Sequence, residues 1–161
     1  MIVRRAAALL AGCAASLTLA VPAAQAAHAA TVPTADLVRY YSGAKHWSTT
    51  GEAPGGRYKP EGHVTILAGR VPGAIPLYGC MAGHAKLDQF LSLQRDCEGE
   101  NNTYLRLEGY LYARPTAGFT RPIYRCHWAA ADSHFYSIKA DCENTPTTKV
   151  TAEGRLGYVR G

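Results

Sequence analysis

The sequence is short of charge. Of its 161 residues only 18% are Asp, Glu, Lys or Arg, and beyond Arg4-Arg5 no block of basic residues occurs. A nucleic-acid binder needs a clustered basic face, so no nucleic-acid partner is expected. After the first thirty residues no apolar run reaches the roughly 20 residues of a membrane-crossing helix, so no membrane span is expected. Also missing are G-x-S-x-G, H-E-x-x-H and a Gly-rich phosphate loop. Those patterns would announce an elbow nucleophile, a zinc protease or a nucleotide site. No segment past the N-terminus carries a convincing amphipathic-helix period. What the chain has is loop formers, 16 Gly and 9 Pro. That mix indicates a loop-rich globular domain rather than a coiled coil or an acidic tail.

Residues 1–29 read as a secretory signal. Arg4 and Arg5 supply the positive end, Ala6 to Val21 the apolar stretch, and Ala27-His28-Ala29 a small-x-small cleavage site, with Ala24-Gln25-Ala26 as the alternative. Leu10-Ala11-Gly12-Cys13 resembles a lipobox, but the apolar stretch before Cys13 is short and continues past it. Secretion to the extracellular side is therefore the expectation, and lipid anchoring at Cys13 the minority alternative. Removal of residues 1–29 would leave fifteen basic against twelve acidic residues, so the formal +5 of the chain overstates its charge. A short linker, 30–37, would then precede one domain, 38–161.

Four cysteines remain: Cys80, Cys97, Cys126 and Cys142. An even number in a secreted domain implies disulfides, and four allow three pairings. The near-equal spacings, Cys80 to Cys97 and Cys126 to Cys142, favour one bridge inside each of two related units. A four-cysteine zinc site ranks lower, because no C-x-x-C or C-x-x-H spacing occurs. No metal and no cofactor are expected.

Equal spacings prompt a search for repeats. Three units emerge, over 38–75, 76–121 and 122–161. The first reads Val38-Arg39-Tyr40, His46-Trp47-Ser48-Thr49, Glu61-Gly62. The second reads Leu77-Tyr78-Gly79-Cys80, Gln89-Phe90-Leu91-Ser92, Cys97-Glu98, Glu108-Gly109. The third reads Ile123-Tyr124-Arg125-Cys126, His134-Phe135-Tyr136-Ser137, Cys142-Glu143, Glu153-Gly154. On this alignment Tyr40, Tyr78 and Tyr124 correspond, as do Glu61, Glu108 and Glu153, and Ser42 stands where the first cysteine would be. Each unit is strand and turn, punctuated by Gly55-Gly56, Pro72-Gly73 and Ala117-Gly118. A unit this small cannot bury its apolar face alone. The expected fold is all-β, three pseudo-repeats closed as a β-trefoil.

The pattern Tyr-x-Cys, His-Phe-Tyr-Ser, Cys-Glu, Glu-Gly resembles a repeat domain of unknown function in secreted bacterial and some fungal proteins. Those repeats centre on Tyr-Arg and His-Phe-Tyr-Thr followed by Glu-Gly. The likeness covers about Val38 to Val159, is strongest in the third unit, and departs at Gln89, where the repeat has His. It implies architecture and secretion. A looser resemblance is to ricin-type β-trefoil lectins, although this chain has no Gln-x-Trp motif.

Trp47, Phe90 and Phe135 are expected to meet in a common core. Tyr41, Trp128 and Tyr136 are better placed as exposed stacking surfaces for a sugar. The recurring His46/His134 and the recurring Glu residues suggest structural hydrogen bonds, since catalytic groups occur once per site. Asp132-Ser133-His134 holds the residue types of a hydrolase triad, but neighbours in sequence cannot form its geometry. No catalytic residue is therefore assigned. The functional expectation is a non-enzymatic binding module for a glycan or cell-wall polymer. Its candidate ligand residues are Asp132, His134, Tyr136 and Asn144 in the third unit and Asp88, Gln89 and Asn101 in the second. The alternative is a secreted protein-binding module such as a protease inhibitor, presenting Arg114-Pro115 or the loop Gly83 to Lys86. A small hydrolase comes last.

Overall fold

Short runs of aromatic and β-branched residues alternate here with Gly, Pro and Asn turns, and the runs become strands. The computed structural model describes residues 31–83, 88–99 and 101–161. The signal-like segment, with Cys13 and both cleavage positions, lies outside them, as does most of the loop Gly83 to Lys86. Nine strands are described: β1 Thr34–Tyr41, β2 His46–Thr49, β3 Lys59–Leu67, β4 Ala74–Met81, β5 Gln89–Ser92, β6 Thr103–Tyr112, β7 Arg121–Trp128, β8 Ser133–Ser137 and β9 Thr151–Val159. A single 3-10 turn, Ala129–Ala131, separates β7 from β8. The chain is thus all-β, with antiparallel ladders throughout. Among the described residues no helix is long and apolar enough to cross a membrane.

The pairing has a simple order. β1 pairs with β2 and β3, β4 with β5 and β6, and β7 with β8 and β9. Single ladder pairs join these groups, Leu67 with Tyr110 and Tyr112 with Tyr158. After β9, the Arg160 N–H donates to the Thr65 carbonyl at 3.1 Å and ties the end of the chain to β3. The central core collects Leu37, Ile66, Leu77, Leu111, Ile123 and Val159, all fully buried, with Leu91, Tyr136 and Leu156.

The expected common core of Trp47, Phe90 and Phe135 is not what forms. Phe90 packs beside Cys80 and Cys97, and Phe135 beside Cys126 and Cys142, in two satellite clusters. Trp47 lies edge-on to Tyr58 at 6.1 Å. The next residues, Leu91 and Tyr136, enter the centre instead. The reason is the two-residue alternation of a strand: neighbours in sequence face opposite sides.

The two disulfides are Cys80–Cys97 and Cys126–Cys142. All four cysteines are fully buried. Each bridge ties a long strand to the turn that follows the short strand.

Register corrects two sequence alignments. Tyr78 faces Ser92 and Tyr124 faces Ser137, but their counterpart facing Thr49 is Val38, not Tyr40. Tyr40 sits opposite Trp47, as Cys80 sits opposite Phe90 and Cys126 opposite Phe135. Tyr40, not Ser42, therefore stands in the cysteine position. The second correction concerns Glu108. The ladders shift between Arg39 and Tyr40, between Gly79 and Cys80, and between Arg125 and Cys126. The bulged residues left unpaired are Glu61, Leu105 and Glu153. Glu108 falls instead in a second shift, where β9 has the buried Leu156. The connection from Cys142 to β9 is three residues longer than that from Cys97 to β6, so counting from Phe90 put Glu108 in the wrong row.

Candidate functional site: two arginine-clamped pockets

Two long strands carry an arginine just before the bulge, and each guanidinium holds two carboxylates. On β7, Arg125 Nε bonds Glu153 at 2.7 Å, and its Nη1 and Nη2 bond Glu98 at 2.6 and 3.0 Å. On β1, Arg39 Nε lies 3.1 Å from Glu61, and its Nη1 and Nη2 reach Glu143 at 2.8 and 3.4 Å. Each guanidinium also donates to a carbonyl of a short strand, Arg125 to Leu91 and Arg39 to Tyr136. Each lies over a phenylalanine, Arg125 5.5 Å from the Phe90 centroid and Arg39 5.3 Å from Phe135.

Local structure aims the acids. Glu61 and Glu153 are the bulge residues, and a bulge re-aims its side chain. Glu98 and Glu143 each follow a disulfide cysteine, and both residues of each Cys-Glu pair are left-handed, with φ 57° and 65° at Cys97-Glu98 and 55° and 59° at Cys142-Glu143. Such angles cost roughly 1–2 kcal/mol per L-residue. The bridge holds the turn, and Asp96 and Asp141 accept the N–H of Glu98 and Glu143 at 3.2 and 3.1 Å. Ser92 and Ser137 then donate their hydroxyls to the same glutamates at 2.7 and 2.8 Å.

A histidine completes each cluster. His134 Nε2 lies 3.3 Å from Glu153, and His46 Nε2 lies 3.5 Å from Glu61. Their other nitrogens meet different partners. His134 Nδ1 is 2.8 Å from the carboxylate of the buried Asp88, whereas His46 Nδ1 is 3.2 Å from the Ser133 hydroxyl. The two rings are driven apart in pKa. For His46, burial and then the charge of Arg39 lower it to about 4 despite Glu143. For His134, burial opposes the charge, but hydrogen bonds to Asp88 and Glu153 and their negative charges outweigh it and raise the value to about 9. Glu153 responds: burial raises it, yet His134 and Arg125 bring it down to about 2. Arg125 likewise holds Glu98 below the usual carboxylate range. Burial raises Glu143, but Arg39 and Ser137 pull it below that range. Glu61 moves the other way, raised by burial more than Arg39 lowers it.

A proton-linkage prediction follows. NMR titration is expected to keep the His46 ring neutral down to about pH 4 and the His134 ring protonated up to about pH 9. Similar values near 6.5 for both would contradict this electrostatic account. The lowered His46 favours the folded state above 6.5, and that stability is lost as pH falls toward 4, by about 3 kcal/mol. The raised His134 contributes stability below 6.5 that is lost as pH rises through 9.

The clusters open into two pockets. One, of about 220 Å³, is lined by Arg39, Tyr41, His46, Glu61, Trp128 and Glu143 among others. The other, of about 160 Å³, is lined by Ala82, Phe90, Glu98, Asn102, Arg125, His134 and Glu153. Both fall below the roughly 300–1,000 Å³ of drug-sized ligand sites. The corresponding place on β4 has no such cluster. Gly79 stands in the arginine position, Gln89 in the histidine position and Leu105 at the bulge. A Cβ on Gly79 would fall 2.7 Å from Glu108 Oε1, so Glu108 fills that space. Its carboxylate is satisfied by the Thr49 and Thr50 hydroxyls at 2.8 to 3.1 Å and the Thr50 N–H at 2.7 Å.

Of the residues singled out in the sequence, the structure brings His134, Trp128 and Tyr41 to these pockets. Asp88 is fully buried against His134. Gln89 is buried too, its amide bonding the Ser48 N–H and carbonyl at 2.8 and 2.9 Å. Tyr136 is not an exposed platform: it is buried and donates its hydroxyl to the Leu37 carbonyl at 2.8 Å. Asn144 closes a turn by bonding both backbone groups of Val150. Asn101 is exposed beside β6, away from both pockets. Asp132 is half-exposed and left-handed, with its carboxylate 3.9 Å from Lys45 and 3.8 Å from His127. Arg114 is exposed just before a turn closed by Thr116 and Phe119, and its carbonyl accepts from the Thr116 hydroxyl at 3.2 Å. Sequence reasoning passed over Arg39, Arg125, Glu98 and Glu143. The recurrence of Asp-Cys-Glu at 96–98 and 141–143 was the available signal. Comparison with protein-family models, curated proteins and solved structures finds no match to this chain.

Proposed function

We propose that this is a secreted, non-enzymatic module that binds carbohydrate, with one sugar ring seated in each arginine-clamped pocket. The observation that carries the reading is the Arg39 pocket. There a fixed guanidinium and two carboxylates stand beside the half-buried rings of Tyr41 and Trp128. Planar, pre-oriented donors and acceptors next to an aromatic face match the two sides of a pyranose, its hydroxyls and its apolar C–H face. Pocket size favours a single ring over a larger ligand. In the Arg125 pocket the clamped glutamates support binding over hydrolysis: Glu98 and Glu153 are both held below the usual carboxylate range, and a glycosidase needs one carboxyl that stays protonated. The two disulfides suit the oxidising side of a membrane, which supports the secreted reading. We also read the three copies of one pairing pattern as three pseudo-repeats, arranged in the manner of a β-trefoil. Contacts among β2, β5 and β8 and among β3, β6 and β9 support that reading.

Binding of oxidised protein to a glycan array and to insoluble chitin, cellulose and peptidoglycan tests the proposal. A saturable signal is expected, competed by free sugar, and Trp128→Ala should remove the Arg39 site and lower the number of sugars bound per chain. A blank from folded, oxidised protein would overturn it. Binding to a protein that free sugar does not compete would favour the inhibitor reading and its exposed Arg114 turn.

A further inference from the structure

One step beyond the pairs Tyr40–Trp47, Cys80–Phe90 and Cys126–Phe135, the short ladders carry three different cross-strand pairs: Tyr41 with His46, Met81 with Gln89, and His127 with His134. Only the last places two imidazoles together, stacked at 4.3 Å between centroids. Asp88 reaches the same point from the segment just before β5. Its Oδ1 accepts the His134 N–H at 2.8 Å, and its Oδ2 lies 2.8 Å from His134 Nδ1. One donor atom each from Asp88, His127 and His134 lie within 4.8 Å of one another. His127 Nε2 is buried with no hydrogen-bond partner.

We propose that Asp88, His127 and His134 bind a divalent transition-metal ion, zinc by preference. Two imidazoles and one carboxylate are the donor set of open zinc sites, which leave a position for water. Ligands about 2.1 Å from a tetrahedral metal lie roughly 3.4 Å apart, so His134 Nδ1 and Asp88, now 2.8 Å apart, must separate slightly while His127 turns out of its stack on His134 toward them. His127 can move: its side chain is 26% exposed, whereas that of Asp88 is fully buried. Outer contacts are already in place. Glu153 lies 3.3 Å from His134 Nε2, the carboxylate–histidine arrangement that orients a metal-binding ring. On binding, the metal takes the place of the proton between His134 Nδ1 and Asp88, and that proton leaves to solvent. Packing does not demand this trio. Around His46 the same places are taken by Tyr41 and Ser133. The expectation of no metal came from cysteine spacing and was blind to residues 39 positions apart in sequence, such as Asp88 and His127.

Titration of the oxidised protein with zinc chloride by calorimetry is expected to show one site per chain. Cobalt(II) should add visible ligand-field bands. His127→Ala should weaken zinc binding at least tenfold without changing the metal-free melting temperature by more than a few degrees, and the exposed His63→Ala should leave binding intact. Asp88→Asn should also abolish binding; if it fails to fold, His127→Ala still decides. Absence of stoichiometric zinc binding, or wild-type affinity in His127→Ala, would overturn the proposal. The readout is independent of any glycan result.

Discussion

Reducing Cys80–Cys97 and Cys126–Cys142 together is expected to lower the melting temperature by roughly 20 °C or more. The bridges close loops of 17 and 16 residues. In the chain-entropy model each such loop contributes about 3 kcal/mol, and the sum of about 6 kcal/mol is a large share of the 5–15 kcal/mol that holds a domain together. The native side adds to the loss. Each bridge holds a left-handed Cys-Glu pair whose glutamate reaches an arginine on a distant strand. Thermal unfolding followed by circular dichroism, with and without a phosphine reductant, measures the effect. A change below about 5 °C would mean that the bridges are incidental. Replacing either cysteine pair by alanine should give about half the loss.

Arg125→Ala is expected to cost about 3 kcal/mol, a fall of roughly 10–15 °C in melting temperature. The guanidinium is only 18% exposed and is the positive partner of both Glu98 and Glu153. Removing it leaves Glu98 without this cation and Glu153 with His134 alone in a half-buried site, and an uncompensated charge there costs more than the pair itself contributes. Neutralising the acids should repair much of the damage, so Arg125→Ala with Glu98→Gln and Glu153→Gln should be more stable than Arg125→Ala alone. A single variant within 1 kcal/mol of the parent, or no recovery in the triple variant, would contradict this account. The β4 side shows a different solution, where Gly79 leaves room for Glu108, the threonines satisfy its carboxylate and Arg106 Nε lies 3.7 Å away.

The all-β class and the bridges were legible because they rest on local composition and spacing. Equal cysteine intervals selected the pairing, and Gly and Pro punctuation marked the strands. Register was not legible. The connection from Cys142 to β9 is three residues longer than that from Cys97 to β6, and Tyr40 matches Tyr78 and Tyr124 in type but not in pairing, so Tyr40 and Glu108 were put in the wrong rows. The site was least legible of all. Arg39 meets Glu143 across 104 positions of sequence, and no interval along the chain announces that contact. The opposite electrostatics of His46 and His134 depend on whether Ser133 or Asp88 faces the ring, a contact with a residue far away in sequence.

The most direct test of the central claim is an NMR titration of the oxidised protein with soluble chito-oligosaccharides, cello-oligosaccharides and peptidoglycan fragments. The side-chain Nε–H signals of Arg39 and Arg125 and the indole N–H of Trp128 would be followed. The account predicts saturable shifts at these groups, confined to the two pockets, with at least one of the sugars. No shift with any of them, or saturable shifts elsewhere on the surface with both arginines unmoved, would contradict it.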